Sequence, residues 1–141
     1  MATWFYQINS QSWPQERYRI EIWEGERWSW PVGQKLTQGH VPAVGDVITF
    51  FYAKGGNVDP GFFGWAVILE WLRENSTLYF RAVSPSDQLK MDPWWDEEAE
   101  DLANRIRGKM KQRTLWFVEL EDARRLRAGI KKWVSAPGPL R

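Results

Sequence analysis

The sequence predicts an α+β protein, a small strongly curved mixed sheet or open barrel with flanking helices. Three observations predict it. Six strand-like runs lie along the chain, at 3–9, 26–32, 46–52, 62–71, 77–83 and 113–120. Two late segments repeat apolar residues every three to four positions, which makes one helical face. The helices fall at irregular places among the strands, the mark of an α+β chain.

Residues 3–9 (Thr-Trp-Phe-Tyr-Gln-Ile-Asn) are rich in aromatics and read as a first strand. Ser12-Trp-Pro-Gln15 resembles a capping box with Pro14 just inside a helix that Gly25 would end. The alternation of Tyr18, Ile20 and Ile22 argues instead for a hairpin strand turning at Glu24-Gly25. The helix is the preferred reading. Residues 26–32 (Glu-Arg-Trp-Ser-Trp-Pro-Val) are short and extended. Trp28 and Trp30 then project to one side, Arg27 and Ser29 to the other.

Val44-Gly-Asp46 is a turn that launches the strand ending at Tyr52. Lys54 to Gly61 is a glycine-rich loop. Phe62 to Trp71 is a long buried strand, and Gly64 within it marks a bulge or a close backbone approach. Thr77 to Val83 is a further strand, and Ser84 to Asp92 a loop. Asp92-Pro93 supplies an N-cap and a first-turn proline for a helix over 93–111. Its inward face carries Trp95, Ala99, Leu102, Ile106 and Met110. Arg113 to Leu120 is a strand. A last helix turns Ala123, Leu126, Ile130 and Trp133 inward.

With 141 residues, 43% of them apolar, the chain is expected to form one domain over 1–136, with a frayed tail at 137–141. It has no cysteine, so disulfides and thiolate sites are excluded. His40 is the only histidine, which rules out a multi-histidine metal site. It stands in a polar loop, and we expect it to be inessential. No cofactor or metal is implied. The N-terminus lacks a signal-peptide pattern and no run is long enough to span a membrane, so the expected location is the cytoplasm.

Net charge is +1, which gives no global field to attract a polyanion. The charges are nonetheless clustered. Residues 96–101 (Asp-Glu-Glu-Ala-Glu-Asp) are acidic, and Arg105, Arg107, Lys109, Lys111 and Arg113 follow as basic residues. That order suits the dipole of one helix and has a purely structural cause. Arg124, Arg125, Arg127, Lys131 and Lys132 form a second basic cluster, either a solvated helix face or a phosphate contact.

Eleven residues are tryptophan. Trp4, Trp65, Trp71 and Trp116 sit in apolar runs and read as core. Trp28, Trp30, Trp94 and Trp95 sit among polar residues, Gly and Pro. A small domain also fills its interior with large rings, but a flat ring in a polar setting suits stacking on a base or a sugar.

Four stretches in order resemble the EVE/YTH group of PUA-like domains. Thr3-Trp-Phe-Tyr-Gln-Ile-Asn-Ser10 is similar to the first strand of a YTH domain. Arg27-Trp-Ser-Trp-Pro-Val32 is similar to the family's Val-Trp-Ser/Ala-Thr stretch. Val44-Gly-Asp-Val-Ile-Thr-Phe-Phe-Tyr52 resembles the EVE Gly-Asp-x-Val-x-Phe-Tyr strand. Phe62-Phe-Gly-Trp-Ala-Val67 resembles the strand that follows it. The resemblance implies a small barrel with an aromatic cage for a modified base. It implies Trp28 as the first cage wall, Ser29 as the small polar neighbour, and Asn9 and Ser10 as polar contacts. The second wall falls to Trp94 or Trp95. Trp30 and Tyr52 complete the candidate base-binding set. Arg124, Arg127 and Lys131 are the candidate phosphate contacts.

The expected function is therefore a non-catalytic module that binds DNA or RNA carrying a modified base, with a methylated base as the expected ligand. It would be linked to prokaryotic restriction and defence or to RNA modification. The alternative is a general PUA-like RNA-binding domain whose tryptophans serve the core. A carbohydrate-binding module fits the missing signal peptide poorly. A hydrolase or nuclease has candidate acids in Asp46, Asp59, Asp87 and Asp92, but no spacing unites them.

Overall fold

The computed structural model describes residues 1–23, 27–32, 39–55, 58–83, 93–110 and 115–135. Strand β1 (Thr3–Gln7) leads to a short helix α1 (Gln15–Tyr18), which continues into a π-helical turn (Arg19–Trp23). Strands β2 (Trp28–Pro31), β3 (Val47–Tyr52), β4 (Gly61–Leu72) and β5 (Thr77–Ala82) follow. Helix α2 (Glu97–Met110), strand β6 (Leu115–Phe117) and helix α3 (Leu120–Ser135) complete the fold. The strands form one six-stranded sheet in the order β2-β5-β4-β3-β1-β6. Strands β1 and β3 run parallel, and the other pairs are antiparallel. The sheet is mixed and open, and the α+β expectation holds.

Alternation along the strands creates two cores. On β1, Trp4 and Tyr6 face one way and Phe5 the other. The first cluster joins Trp4 and Tyr6 to Ile48, Phe50, Phe63 and Phe80, capped by Tyr18 and Ile22. The second joins Phe5, Phe51 and Phe62 to Leu102 and Ile106 of α2 and Leu126 of α3. Fully burying each such side chain contributes about 1.5–3 kcal/mol. The predicted helical contacts of Leu102 and Ile106 are present.

The turn at 44–46 is as expected, with Gly45 at φ 91°. Asp46 is buried, and its carboxylate accepts from the N–H groups of Ala2 (2.9 Å), Ala43 (3.0 Å) and the Trp4 indole (3.0 Å). Those donors satisfy the buried carboxylate and give it a structural role. The bulge expected near Gly64 is found: Phe50 pairs with Gly64 and Phe51 with Phe62, which leaves Phe63 as the extra residue.

Two expectations are corrected. The helix after residue 12 exists, but its N-cap is Pro14 in an extended conformation with no side-chain cap, so no capping box forms. The buried pair Tyr18 and Ile22, with Ile20 54% exposed, follows helical spacing and disposes of the hairpin reading. The expected end at Gly25 lies outside the described residues.

The second correction concerns α2, which begins at Glu97 instead of Pro93. Asp96 serves as its cap by accepting the Ala99 N–H at 2.9 Å. The preceding chain is extended: Trp94 and Phe62 exchange both backbone hydrogen bonds (2.8 and 3.1 Å). The glycine at 61 (φ 133°) makes this approach possible, because a Cβ there would lie 2.6 Å from the Trp94 carbonyl oxygen. The expected cap Asp92 and the loop from Ser84 lie outside the described residues.

Candidate nucleic-acid interface

The β2–β5 pairing sets Trp28 opposite Phe80 and Trp30 opposite Leu78, so both indoles face the first core. They do different work there. Trp30 is 7% exposed. It stacks on Tyr6 (5.1 Å, 27°) and meets Phe50 (5.5 Å) and Phe80 (5.2 Å). It is a floor residue of the core, not an open wall. Trp28 packs against the same cluster but is only partly buried.

The ring beside Trp28 is Trp13, which the sequence reading did not select. Their centroids lie 5.3 Å apart at 85°, and Trp13 also meets Trp30 at 5.4 Å. The three indoles form an aromatic corner. Trp13 is held from several sides. Its N–H donates to the Asn9 carbonyl at 2.8 Å. Its own carbonyl accepts the Tyr52 hydroxyl at 2.7 Å. The Arg17 guanidinium lies 3.7 Å over its ring and is fixed by Glu21 (2.6 Å) and the Ser12 carbonyl (2.7 Å). The signal that could have found Trp13 is the Ser-Trp-Pro context, as polar as that of Trp28.

The other candidates divide. Asn9 is exposed at the end of β1; its Oδ1 accepts the Gln11 N–H (3.0 Å), shaping the turn that carries Trp13 and Ser10. Tyr52 is fully buried, so it supports Trp13 from behind and does not itself face a ligand. Burial drives its hydroxyl pKa strongly upward, and raises that of Tyr6 to about 12. Ser29 alternates onto the opposite side of β2 and is exposed.

Trp94 and Trp95 do not meet Trp28. Trp94 is 6% exposed and belongs to the second core, with its ring 5.5 Å from Phe62. Its six-membered ring lies where a Cβ on Gly129 would be, 2.0 Å from Cη2. Trp95, 37% exposed, meets Phe51 on the same side of the sheet. The polar neighbours that suggested a pocket belong to the start of α2.

The basic cluster of α3 also lies on the second-core side, since Ala123, Leu126 and Ile130 pack there. Arg124 is exposed. Arg127 donates to the Thr3 hydroxyl (2.8 Å) and the Met1 carbonyl (3.1 Å). Lys131 is exposed. None of the three borders Trp28. His40 is exposed and stacks flat on Phe117, 3.6 Å between centroids.

One chemical property marks the corner, shared with the Trp71 indole on β4. The indole N–H groups of Trp28 and Trp30 are buried and have no hydrogen-bond partner. An unpaired buried donor costs about 1–3 kcal/mol, so it is uncommon in a settled core. Among the described residues no cluster of acids and histidine could hold a metal ion.

Solved structures share this α+β fold. A protein from Pseudomonas syringae matches with a TM-score of 0.55 at 12% identity, over 92% of this chain and 99% of its own. A hypothetical protein from Leishmania major matches with a TM-score of 0.52 at 14% identity, over 94% and 97%. Human THYN1, solved in complex with DNA containing 5-methylcytosine, matches with a TM-score of 0.51 at 8% identity, over 98% and 100%. No family model and no curated protein matches the chain.

Proposed function

We propose that this protein is a non-catalytic nucleic-acid-binding module of the EVE/YTH type that accepts a modified base at the corner of Trp13, Trp28 and Trp30. The observation that carries the reading is Trp28 itself. It is a partly buried ring with an unpaired indole N–H, set perpendicular to a second indole. The shared fold with THYN1, which is in complex with methylcytosine DNA, supports the same reading.

The chemistry is suitable. A methylated base differs from its parent by one small apolar group, worth about 0.8 kcal/mol of burial. Two ring planes at a right angle offer one face for stacking and a second surface for the methyl. The base must leave its stack to enter. The exposed Asn9 carboxamide keeps its NH₂ group for an edge or a sugar contact. A role in restriction, defence or RNA modification, and a cytoplasmic location, remain part of this proposal.

The test is a titration of short DNA and RNA oligonucleotides carrying 5-methylcytosine, N6-methyladenine or unmodified bases, read by tryptophan fluorescence. The reading expects one modified base to bind at least about fivefold more tightly than its parent, the equivalent of about 1 kcal/mol. Equal affinity for modified and plain oligonucleotides would select the general RNA-binding alternative.

A further inference from the structure

A second cleft of about 310 Å³ opens on the other side of the sheet. Its floor is Val47, Thr49 and Trp65, on β3 and β4, and its wall is Ile130 and Val134 of α3. The lining is almost wholly apolar. The Thr49 hydroxyl is spent on the Trp4 carbonyl at 2.9 Å. Two cations stand at the cleft, Arg127 and Lys131, and no acid lines it among the described residues.

Those cations differ from Arg105, Lys109 and Arg125 nearby. Arg105 pairs with Asp122 (3.2 Å), Lys109 with Glu119 (3.3 Å), and Arg125 with Glu98 (2.8 Å) and Asp101 (2.7 Å). Arg127 and Lys131 pair with no carboxylate among the described residues. Arg127 is fixed only by neutral groups, Thr3 and Met1, which hold the guanidinium in place without cancelling its charge. Of the two buried acids among the described residues, Asp46 is occupied by its three donors and Asp122 by Arg105.

An apolar cleft of small-ligand size with uncompensated positive charge at its edge is complementary to an amphiphilic anion. We propose that this cleft binds a small apolar carboxylate, with its chain between Trp65 and Ile130 and its head group on Arg127 and Lys131. At about 30 Å³ per water-sized group, the cleft accommodates about ten non-hydrogen atoms, the size of octanoate. The site is separate from the Trp28 corner and does not depend on the base-binding reading.

The probes are octanoate, octanol and octylammonium, titrated into the full chain and followed by indole N–H resonances. Trp65→Phe assigns the Trp65 signal. Octanoate should bind saturably and move Trp65 while leaving Trp28 unmoved, and the two other probes should bind at least about tenfold more weakly. Lys131→Glu, a change at an exposed side chain, should weaken octanoate by about tenfold at unchanged melting temperature. Val134→Phe should block the cleft. Absence of saturable octanoate binding, equal binding of octanol, or no effect of Lys131→Glu would each overturn the proposal. So would binding that shifts Trp28 in place of Trp65.

Discussion

The indoles of Trp13 and Trp28 meet edge to face, 5.3 Å apart at 85°, although fourteen residues of sequence separate them. The turn at Asn9, the hydroxyl of Tyr52 and the guanidinium of Arg17 all act on Trp13. A ring held from so many sides is set for contact and needs little ordering when a ligand arrives. Arg17→Ala should loosen Trp13 without unfolding the chain, because Arg17 is largely exposed and its ion pair with Glu21 contributes little. We expect a loss of about 0.5–1 kcal/mol in affinity for the modified oligonucleotide, the size of an exposed cation–π contact. Titration beside a thermal melt checks it.

Gly129 faces the Trp94 ring at a distance that leaves no room for a methyl group. Gly129→Ala should therefore displace a buried indole and destabilise the fold by about 1–3 kcal/mol, despite the better helix propensity of alanine. Trp94→Ala should cost about 3–5 kcal/mol. Base binding by whatever fraction stays folded should be unchanged in both, since Trp94 lies in the second core. Denaturant melts and oligonucleotide titration separate the two effects.

Acid should weaken the α2 start. Burial tends to raise the Asp96 pKa, but the N–H donors around it prevail and hold it below the ordinary carboxylate value. The Arg125 hydrogen bond does the same for Glu98. A carboxylate whose folded pKa is depressed adds stability above its unfolded pKa and loses it as pH falls through the folded pKa. Stability should thus be flat near neutrality and decline below the ordinary carboxylate range. Asp96→Asn should flatten that decline. Urea melts from pH 7 downward measure it.

The strands and helices were legible because their side chains alternate or recur with clear periods. The walls of the site were not. Trp94 and Trp28 have equally polar neighbours in sequence, but pairing with Phe62 buries one and the sheet edge leaves the other partly open. Trp65 lies in an apolar run and was expected in the core, yet it is only partly buried, beside Trp133 of α3. Its partner face depends on helix packing that no local pattern encodes. Trp13 was missed because its partners come from β1, β2 and β3, and only tertiary structure unites them.

Charge reversal on α3, in Arg124→Glu with Lys131→Glu, should change oligonucleotide affinity by less than about threefold at moderate salt, because these residues lie across the sheet from Trp28. A steep loss that is equal for modified and plain oligonucleotides would restore them as phosphate contacts.

The central claim rests on Trp28, and one variant tests it most directly. Trp28→Ala, compared with Trp4→Ala, is titrated with modified and plain oligonucleotides and melted in parallel. Removing one stacking face should cost about 1–3 kcal/mol of affinity for the modified oligonucleotide, a factor of about 5–150, and erase its preference over the plain one. The melting temperature should fall only modestly, whereas emptying the fully buried Trp4 site should cost about 3–5 kcal/mol of stability. A Trp28→Ala protein that keeps its preference for the modified base, or that melts as early as Trp4→Ala, would contradict the account and return this ring to the core.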